Sequence, residues 1–233
     1  MTLILTLVIV FLVIATVVGQ YADDVLSDDS PLKPLKVLRI FAPIREDSVG
    51  TWFESALFAL CATLLATIGY ARKRETPSAW WLHWTGLSGI FLMLSIDEVA
   101  GVHERLTEPM RRLLDADGLL SYAWVVPGAI LVLILAAVYL RFFVALPPQT
   151  RTLFLVSAVL FVSGSLGVEM LSGWYADSFP ESGFGYAMLQ TVEETGELTG
   201  LTVFIYALMS YIRRHIGSVT CRISFEAPAK AAA

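Results

Sequence analysis

Eight carboxylates lie at the ends of apolar segments, where charged side chains are rare. Glu193, Glu194 and Glu197 fall on one face of a predicted helix, because residues three and four apart share a helical face. An ionised side chain at bilayer depth costs at least about 2.5–3.5 kcal/mol, so such residues usually face a bundle interior and carry function. The other carboxylates are Glu54, Asp97, Glu98, Glu104 and Glu169.

The charge balance of this group indicates a bound cation. Only one base, Arg105, and one histidine, His103, accompany the carboxylates. Like charges in a low-dielectric site cannot all be ionised, so either several carboxylates hold protons or a cation neutralises them. Carboxylates with one imidazole suit a divalent ion such as Fe, Mn, Zn, Ca or Mg. The predicted metal ligands are Asp97, His103, Glu104, Glu169, Glu193 and Glu197.

Four further residues are predicted to support these ligands without binding the metal. Glu98 and Arg105 lie seven residues apart on one predicted helix, so their side chains can pair. Such a pair would hold neighbouring ligands in place. The other two supporting residues are Glu54 and Glu194.

Simpler interpretations remain open for single residues. Glu54 can complement the dipole at a helix N-terminus, and His103 can be a hydrogen-bonding residue at the membrane interface. Glu98 and Glu104 can be solvated at the water boundary. The three acids on one helix are harder to explain in this way, because a buried stripe of carboxylates needs partners.

Known metal motifs match only in part. Ferritin-like di-iron bundles use Glu-x-x-His pairs, whereas this chain has Glu194-x-x-Glu197 and no histidine at that spacing. Zinc signatures of paired cysteines or histidines are absent from the sequence. The residues therefore carry no resemblance to a known family.

The composition defines the class of protein that holds this site. The chain has 233 residues, of which 56% are hydrophobic and 16% charged, and its mean hydropathy is +0.69. A soluble domain carries about 25% charged residues, so a water-soluble enzyme is excluded. The net charge of −5 argues against a nucleic-acid partner, which requires a basic face. We expect an integral membrane protein that contacts lipid.

Six stretches approach the roughly 20 apolar residues that a transmembrane helix needs. They predict one all-helical membrane bundle over residues 1–216, in which the first helix is retained as an anchor. Gly196 and Gly200 favour a close approach of another helix. Short interfacial helices are expected near 35–41 and 106–114, and residues 217–233 are expected to form a disordered tail. The predicted spans are about 3–19, 51–71, 79–106, 122–140, 152–175 and 186–212.

The distribution of lysine and arginine predicts the orientation. Nine of these residues lie on the side of both termini and seven on the other side, and the positive side of a membrane protein faces the cytoplasm. Both termini are therefore expected in the cytoplasm, across the plasma (inner) membrane. The carboxylates then lie near the outer face. Cys61 and Cys221 lie at different depths and are expected to be free thiols.

Three functions remain open at this stage. The first is a membrane metalloprotein; if it is an enzyme, its metal would activate water or dioxygen for an outer-side or lipid-like substrate. The others are a cation- or proton-coupled transporter, and a structural or assembly subunit, with a homo-oligomer compatible with each. The acids are confined to one end of the predicted bundle, which favours a fixed site over a path through the membrane.

Overall fold

The computed structural model describes residues 1–26, 30–41, 48–75, 80–179 and 183–217. Within these ranges the chain is helical and has no strand, which confirms the all-helical fold class. Residues 218–233, including Cys221 and nearly all of the predicted tail, lie outside the described part of the chain.

Eight α-helices make up most of the described chain. They are α1 (Thr2–Val25), α2 (Val49–Glu75), α3 (Trp80–Ala100), α4 (Val102–Leu114), α5 (Val125–Ala145), α6 (Pro148–Val162), α7 (Glu169–Ser178) and α8 (Phe184–His215). A π-helical segment, Ser163–Val168, joins α6 to α7 without a loop. Two 3-10 helices, η1 (Lys33–Phe41) and η2 (Gly118–Leu120), complete the fold.

Four helical stretches are long and apolar enough to cross a membrane. They are Thr2–Val25, Val49–Arg74, Val125–Ala145 and Pro148–Ser178. Helices α3 and α4 pass the same test only as a pair, and they count as a fifth stretch if the bent pair is one span. The sixth predicted span lies within α8, which is not among these stretches in the described chain. The count of six spans is therefore not confirmed.

A corner interrupts the predicted span 79–106 near its C-terminal end. Helix α3 ends at Ala100, and α4 leaves it at an angle of 78°. Gly101 makes the corner in a left-handed conformation, with φ of 56°, which a glycine adopts without steric cost. The two short helices expected near 35–41 and 106–114 are present as η1 and α4, and α4 buries none of its residues.

Helix α8 forms the centre of the packed core. It contacts α1, α2, α6 and α7, and its Leu201, Ile205 and Leu208 are almost completely buried. Apolar residues three and four apart form the stripe by which a helix packs on a neighbour. Helix α1, which contacts α8, buries such a stripe, made by Leu5, Ile9, Leu12 and Ala15.

Reciprocal serine hydrogen bonds join α2 to α3. The Ser55 hydroxyl donates to the Ser95 carbonyl at 2.7 Å, and the Ser95 hydroxyl donates to the Ser55 carbonyl at 2.9 Å. Hydroxyl side chains commonly link helices in membrane proteins by such bonds. Because Ser55 adjoins Glu54 and Ser95 lies one turn before Glu98, this contact sets the spacing of the two acids.

Helix α6, the π-helical segment and α7 form one continuous helical stretch, which we call the α6–α7 rod. Glycines let this rod approach α8 closely. A Cβ atom at Gly200 would lie 2.9 Å from the Phe161 nitrogen and 3.0 Å from the Ser157 carbonyl oxygen. The Ser157 hydroxyl donates to the Gly200 carbonyl at 2.8 Å. One turn before Gly200 in α8, Gly196 faces Gly164. The close approach predicted for Gly196 and Gly200 is therefore present.

Gly200→Ala is expected to destabilise the protein by about 1–3 kcal/mol, because the added methyl group meets backbone atoms that cannot rotate away. Gly167→Ala is the matched control, since no atom lies within 4 Å of its added Cβ. Denaturant unfolding in detergent micelles, followed by circular dichroism, measures both changes. Equal losses in the two variants would contradict the close contact.

Candidate functional site

Six carboxylates from four helices meet at one end of the bundle. We call Glu54, Glu98, Glu169, Glu193, Glu194 and Glu197 the carboxylate cluster. Antiparallel packing brings them together, because the start of α2, the end of α3, the start of α7 and the first half of α8 lie at similar heights. Their mutual electrostatic interactions confirm that they are neighbours.

Glu54 is the most deeply placed member of the carboxylate cluster. Only 2% of its surface is exposed, and it interacts electrostatically with Glu197, Glu98, Glu194 and Glu193, in decreasing order. Its Oε1 atom is buried and has no hydrogen-bond partner. A buried polar atom without a hydrogen-bond partner costs about 1–3 kcal/mol of folding free energy. A proton donor or a cation that binds this oxygen would remove that cost.

Neutral side chains donate hydrogen bonds to two members of the cluster. The indole Nε1 of Trp124 donates to Glu169 Oε1 at 2.8 Å, and the Gln190 amide donates to Glu193 Oε2 at 3.3 Å. Glu169 and Glu193 also interact electrostatically with each other between α7 and α8. Neighbouring carboxylates repel each other unless a proton or a cation compensates their charge.

Asp97 lies beside the cluster and binds His103. The distance from Asp97 Oδ2 to His103 Nδ1 is 2.7 Å, and Asp97 Oδ1 accepts the backbone N–H of His103 at 3.1 Å. The His103 ring lies 4.7 Å from the Trp124 ring, centroid to centroid. His103 also interacts electrostatically with Glu98, so the Asp97–His103 pair borders the cluster.

Two predicted residues lie on α4 and not among the six carboxylates, although Glu104 interacts electrostatically with His103. Glu104 and Arg105 are exposed on α4, which turns away from α3 at Gly101. The predicted Glu98–Arg105 pair is wrong, because the two residues lie on different helices and no ion pair joins them in the described chain. The physical reason is the corner at Gly101, which separates the two residues and which the helical periodicity of the sequence does not reveal.

Trp124 was missed by the sequence analysis. It precedes α5 in a short turn, and its contact with Glu169 spans 45 positions. Five tryptophans elsewhere in the chain show that the residue type alone is not informative. The pairing depends on how α5 and α7 lie together, which no local spacing encodes.

The cluster has no basic counterpart within the described ranges. No lysine or arginine there forms an ion pair with any of its six carboxylates. Arg111 pairs with Asp177 at 3.1 Å, and Arg112 pairs with Glu108 at 2.6 Å, both outside the cluster. The repulsion among the carboxylates must therefore be relieved by protons or by a cation.

The carboxylate oxygens do not converge on a single point. Among the described residues, no three Asp, Glu, His or Cys side chains are arranged so that they could hold a metal ion without moving. Glutamate has three rotatable side-chain bonds, so its oxygens can move by several ångströms about a fixed backbone. The helices therefore fix where these carboxylates start, and the side-chain rotamers decide where their oxygens lie.

The fold and the site together define an all-helical protein with four to five helices long and apolar enough to span a membrane, and with a carboxylate cluster at one end. The chain belongs to a family described as a domain of unknown function (DUF8692), whose sequence model matches residues 3–212. No curated protein matches the chain, and no solved structure does.

Glu54→Gln is expected to raise the midpoint of thermal unfolding in metal-free detergent solution. The substitution removes one negative charge from the carboxylate cluster, and the new amide can donate to the neighbouring carboxylates. The gain should grow with increasing pH, as more of these carboxylates ionise. Glu108→Gln, on the exposed face of α4, is the control and should change little. A lower midpoint for Glu54→Gln would reveal a favourable partner for its charge.

Proposed function

We propose that the carboxylate cluster binds a divalent metal ion, with the carboxylates as oxygen ligands and His103 as a nitrogen ligand. The observation that carries this proposal is the buried Glu54 oxygen without a partner, placed among five other carboxylates that form no ion pair with any described lysine or arginine. Fe, Mn, Zn, Ca and Mg remain the candidate ions, because each accepts carboxylate ligands.

Electrostatics favour a divalent ion as the neutralising partner. Glu169 accepts the Trp124 indole N–H and Glu193 accepts a Gln190 amide N–H, which offsets part of their charge. Glu54, Glu98, Glu194 and Glu197 repel one another. A divalent ion supplies two positive charges at one point, and several carboxylates can bind it at once.

The helix contacts support such a site because they keep the backbone in place. The Ser55–Ser95 hydrogen bonds hold α2 against α3, and Gly164 lies against the backbone of Glu193. Binding then requires changes of side-chain rotamer only. A fixed backbone reduces the conformational entropy that the ligands lose on binding.

A proton-binding site is the second candidate, and the burial of Glu54 among other carboxylates favours it. Carboxyl groups that hold protons inside a bundle are typical of proton relays in pumps and transporters. In that case the carboxylates of the cluster would be protonated. The protein would then be a proton-coupled carrier that needs no metal.

Metal analysis of the purified protein separates these two functions. We expect about one or two divalent ions per chain after reloading with Mn²⁺, and a Glu193→Gln/Glu197→Gln double variant should lose them. Absorption of protonated carboxyl groups in infrared spectra of the wild-type protein should fall when Mn²⁺ is added.

Glu108→Gln is the matched control for this experiment, because Glu108 lies on an exposed face and pairs with Arg112. It should retain the full metal content. A wild-type protein that binds no metal after reloading, and keeps its protonated carboxyl absorption, would overturn the metal site in favour of the proton site.

We also propose that the chain crosses the plasma (inner) membrane six times, with both termini in the cytoplasm and the carboxylate cluster at the outer face. The basic residues Arg72 and Arg213 lie in the last turns of α2 and α8, at the end opposite the cluster. Along α2, Glu54 and Arg72 are about 27 Å apart at about 1.5 Å per residue, close to the thickness of a hydrocarbon core.

Cysteine labelling tests this orientation. In a Cys61→Ser/Cys221→Ser background, Leu113→Cys on α4 should react with a membrane-impermeant maleimide in intact cells. Arg213→Cys should react only after the membrane is permeabilised. The reverse pattern would place the carboxylate cluster in the cytoplasm.

A further inference from the structure

Asp97 accepts a hydrogen bond from the backbone at the corner between α3 and α4. Its Oδ1 atom accepts the backbone N–H of His103 at 3.1 Å. This N–H group belongs to the first turn of α4, where no intrahelical carbonyl can accept it. Asp97 therefore caps α4 from the last turn of α3, across Gly101.

The same carboxylate holds the imidazole of His103. Oδ2 of Asp97 lies 2.7 Å from His103 Nδ1, which is a short distance for this type of bond. Both oxygens of Asp97 are thus used within the corner. Each Asp97 oxygen therefore already has a hydrogen-bond partner, unlike Oε1 of Glu54.

The second ring nitrogen of His103, Nε2, is available to bind a ligand. Nδ1 is engaged by Asp97, and Nε2 makes no hydrogen bond to the described residues. The ring packs beside Trp124, whose Nε1 binds Glu169 in the carboxylate cluster. Glu98, also in the cluster, interacts electrostatically with the same ring.

We propose that Asp97 is a positioning residue that fixes the tautomer and the orientation of His103, and that Nε2 of His103 is the nitrogen ligand of the site. Metal-binding histidines commonly donate their other N–H to a carboxylate in this way. The ligand role of Nε2 rests on the proposed metal function, whereas the role of Asp97 toward the ring does not. The proposal removes Asp97 from the predicted set of direct ligands.

The tautomer is tested on metal-free protein labelled with ¹⁵N-histidine. At an alkaline pH, where the ring is neutral, His103 of the wild-type protein should carry its proton on Nδ1. His103→Gln identifies the resonance among the three histidines. In Asp97→Asn the amide oxygen can still accept the backbone N–H of His103, so α4 stays capped. The amide NH2 group then faces Nδ1 as a donor, so the proton of the neutral ring should move to Nε2. A proton on Nε2 in the wild-type protein would overturn the positioning role.

The ligand is tested with Mn²⁺ alone. Asp97→Asn should weaken Mn²⁺ binding by about 10- to 100-fold and leave the number of ions at saturation unchanged. Pulsed electron paramagnetic resonance should show ¹⁴N coupling to Mn²⁺ in the wild-type protein and none in His103→Gln. Fewer ions at saturation in Asp97→Asn, with unchanged ¹⁴N coupling, would show that Asp97 is itself a ligand.

Asp177→Asn is the matched control for both measurements. Asp177 also accepts a backbone N–H, from Gly118 at 2.6 Å, and it also pairs with a base, Arg111. It lies outside the carboxylate cluster, so its substitution should leave the Mn²⁺ affinity and the His103 tautomer unchanged. Wild-type protein that binds no Mn²⁺ would overturn the metal site and the ligand role of Nε2, while the ¹⁵N spectra decide the role of Asp97.

Discussion

The mutual repulsion of six carboxylates at one end of a helical bundle is the constraint on which this structure depends. Like charges in a low-dielectric site tend to separate, and here no lysine or arginine in the described chain offsets them. The helices stay together because contacts elsewhere along them hold the backbone. The cluster thus accumulates negative charge that a proton or a cation must compensate.

Those contacts are small and specific. Gly164, Gly196 and Gly200 let the α6–α7 rod lie against α8 at backbone distance. The π-helical segment lies at this contact and leads directly into Glu169. Such segments are rare and occur frequently at functional sites, because the wider turn reorients the residues that follow. The position of Glu169 beside Trp124 and Glu193 is consistent with that role.

The corner at Gly101 adds the Asp97–His103 pair to the site. If α3 continued as a straight helix, His103 would lie further along the axis of α3, away from Asp97. The left-handed glycine turns the chain by 78°, so that Asp97 can bind both the backbone and the ring of His103. The capping of α4 and the orientation of the imidazole thus depend on the same carboxylate. Local structure and site chemistry are joined at this residue.

Much of the architecture could be predicted from the sequence because helical patterns are local. Hydropathy located the helical segments, and spacing placed Glu193, Glu194 and Glu197 on one face and Gly196 above Gly200. These properties follow from hydrogen bonds between residues four apart, so neighbouring residues determine them. The residue types also indicated that the acids would meet at one end.

Only the tertiary structure decided the break at Gly101, the Asp97–His103 pair, the Trp124–Glu169 bond and the unpartnered oxygen of Glu54. Each depends on the angle or distance between segments, which packing of the whole bundle sets. A glycine is compatible with a continuous helix and with a corner, and its sequence context does not distinguish them. The sequence therefore determined which groups are available, and the packing of helices determined which of them meet.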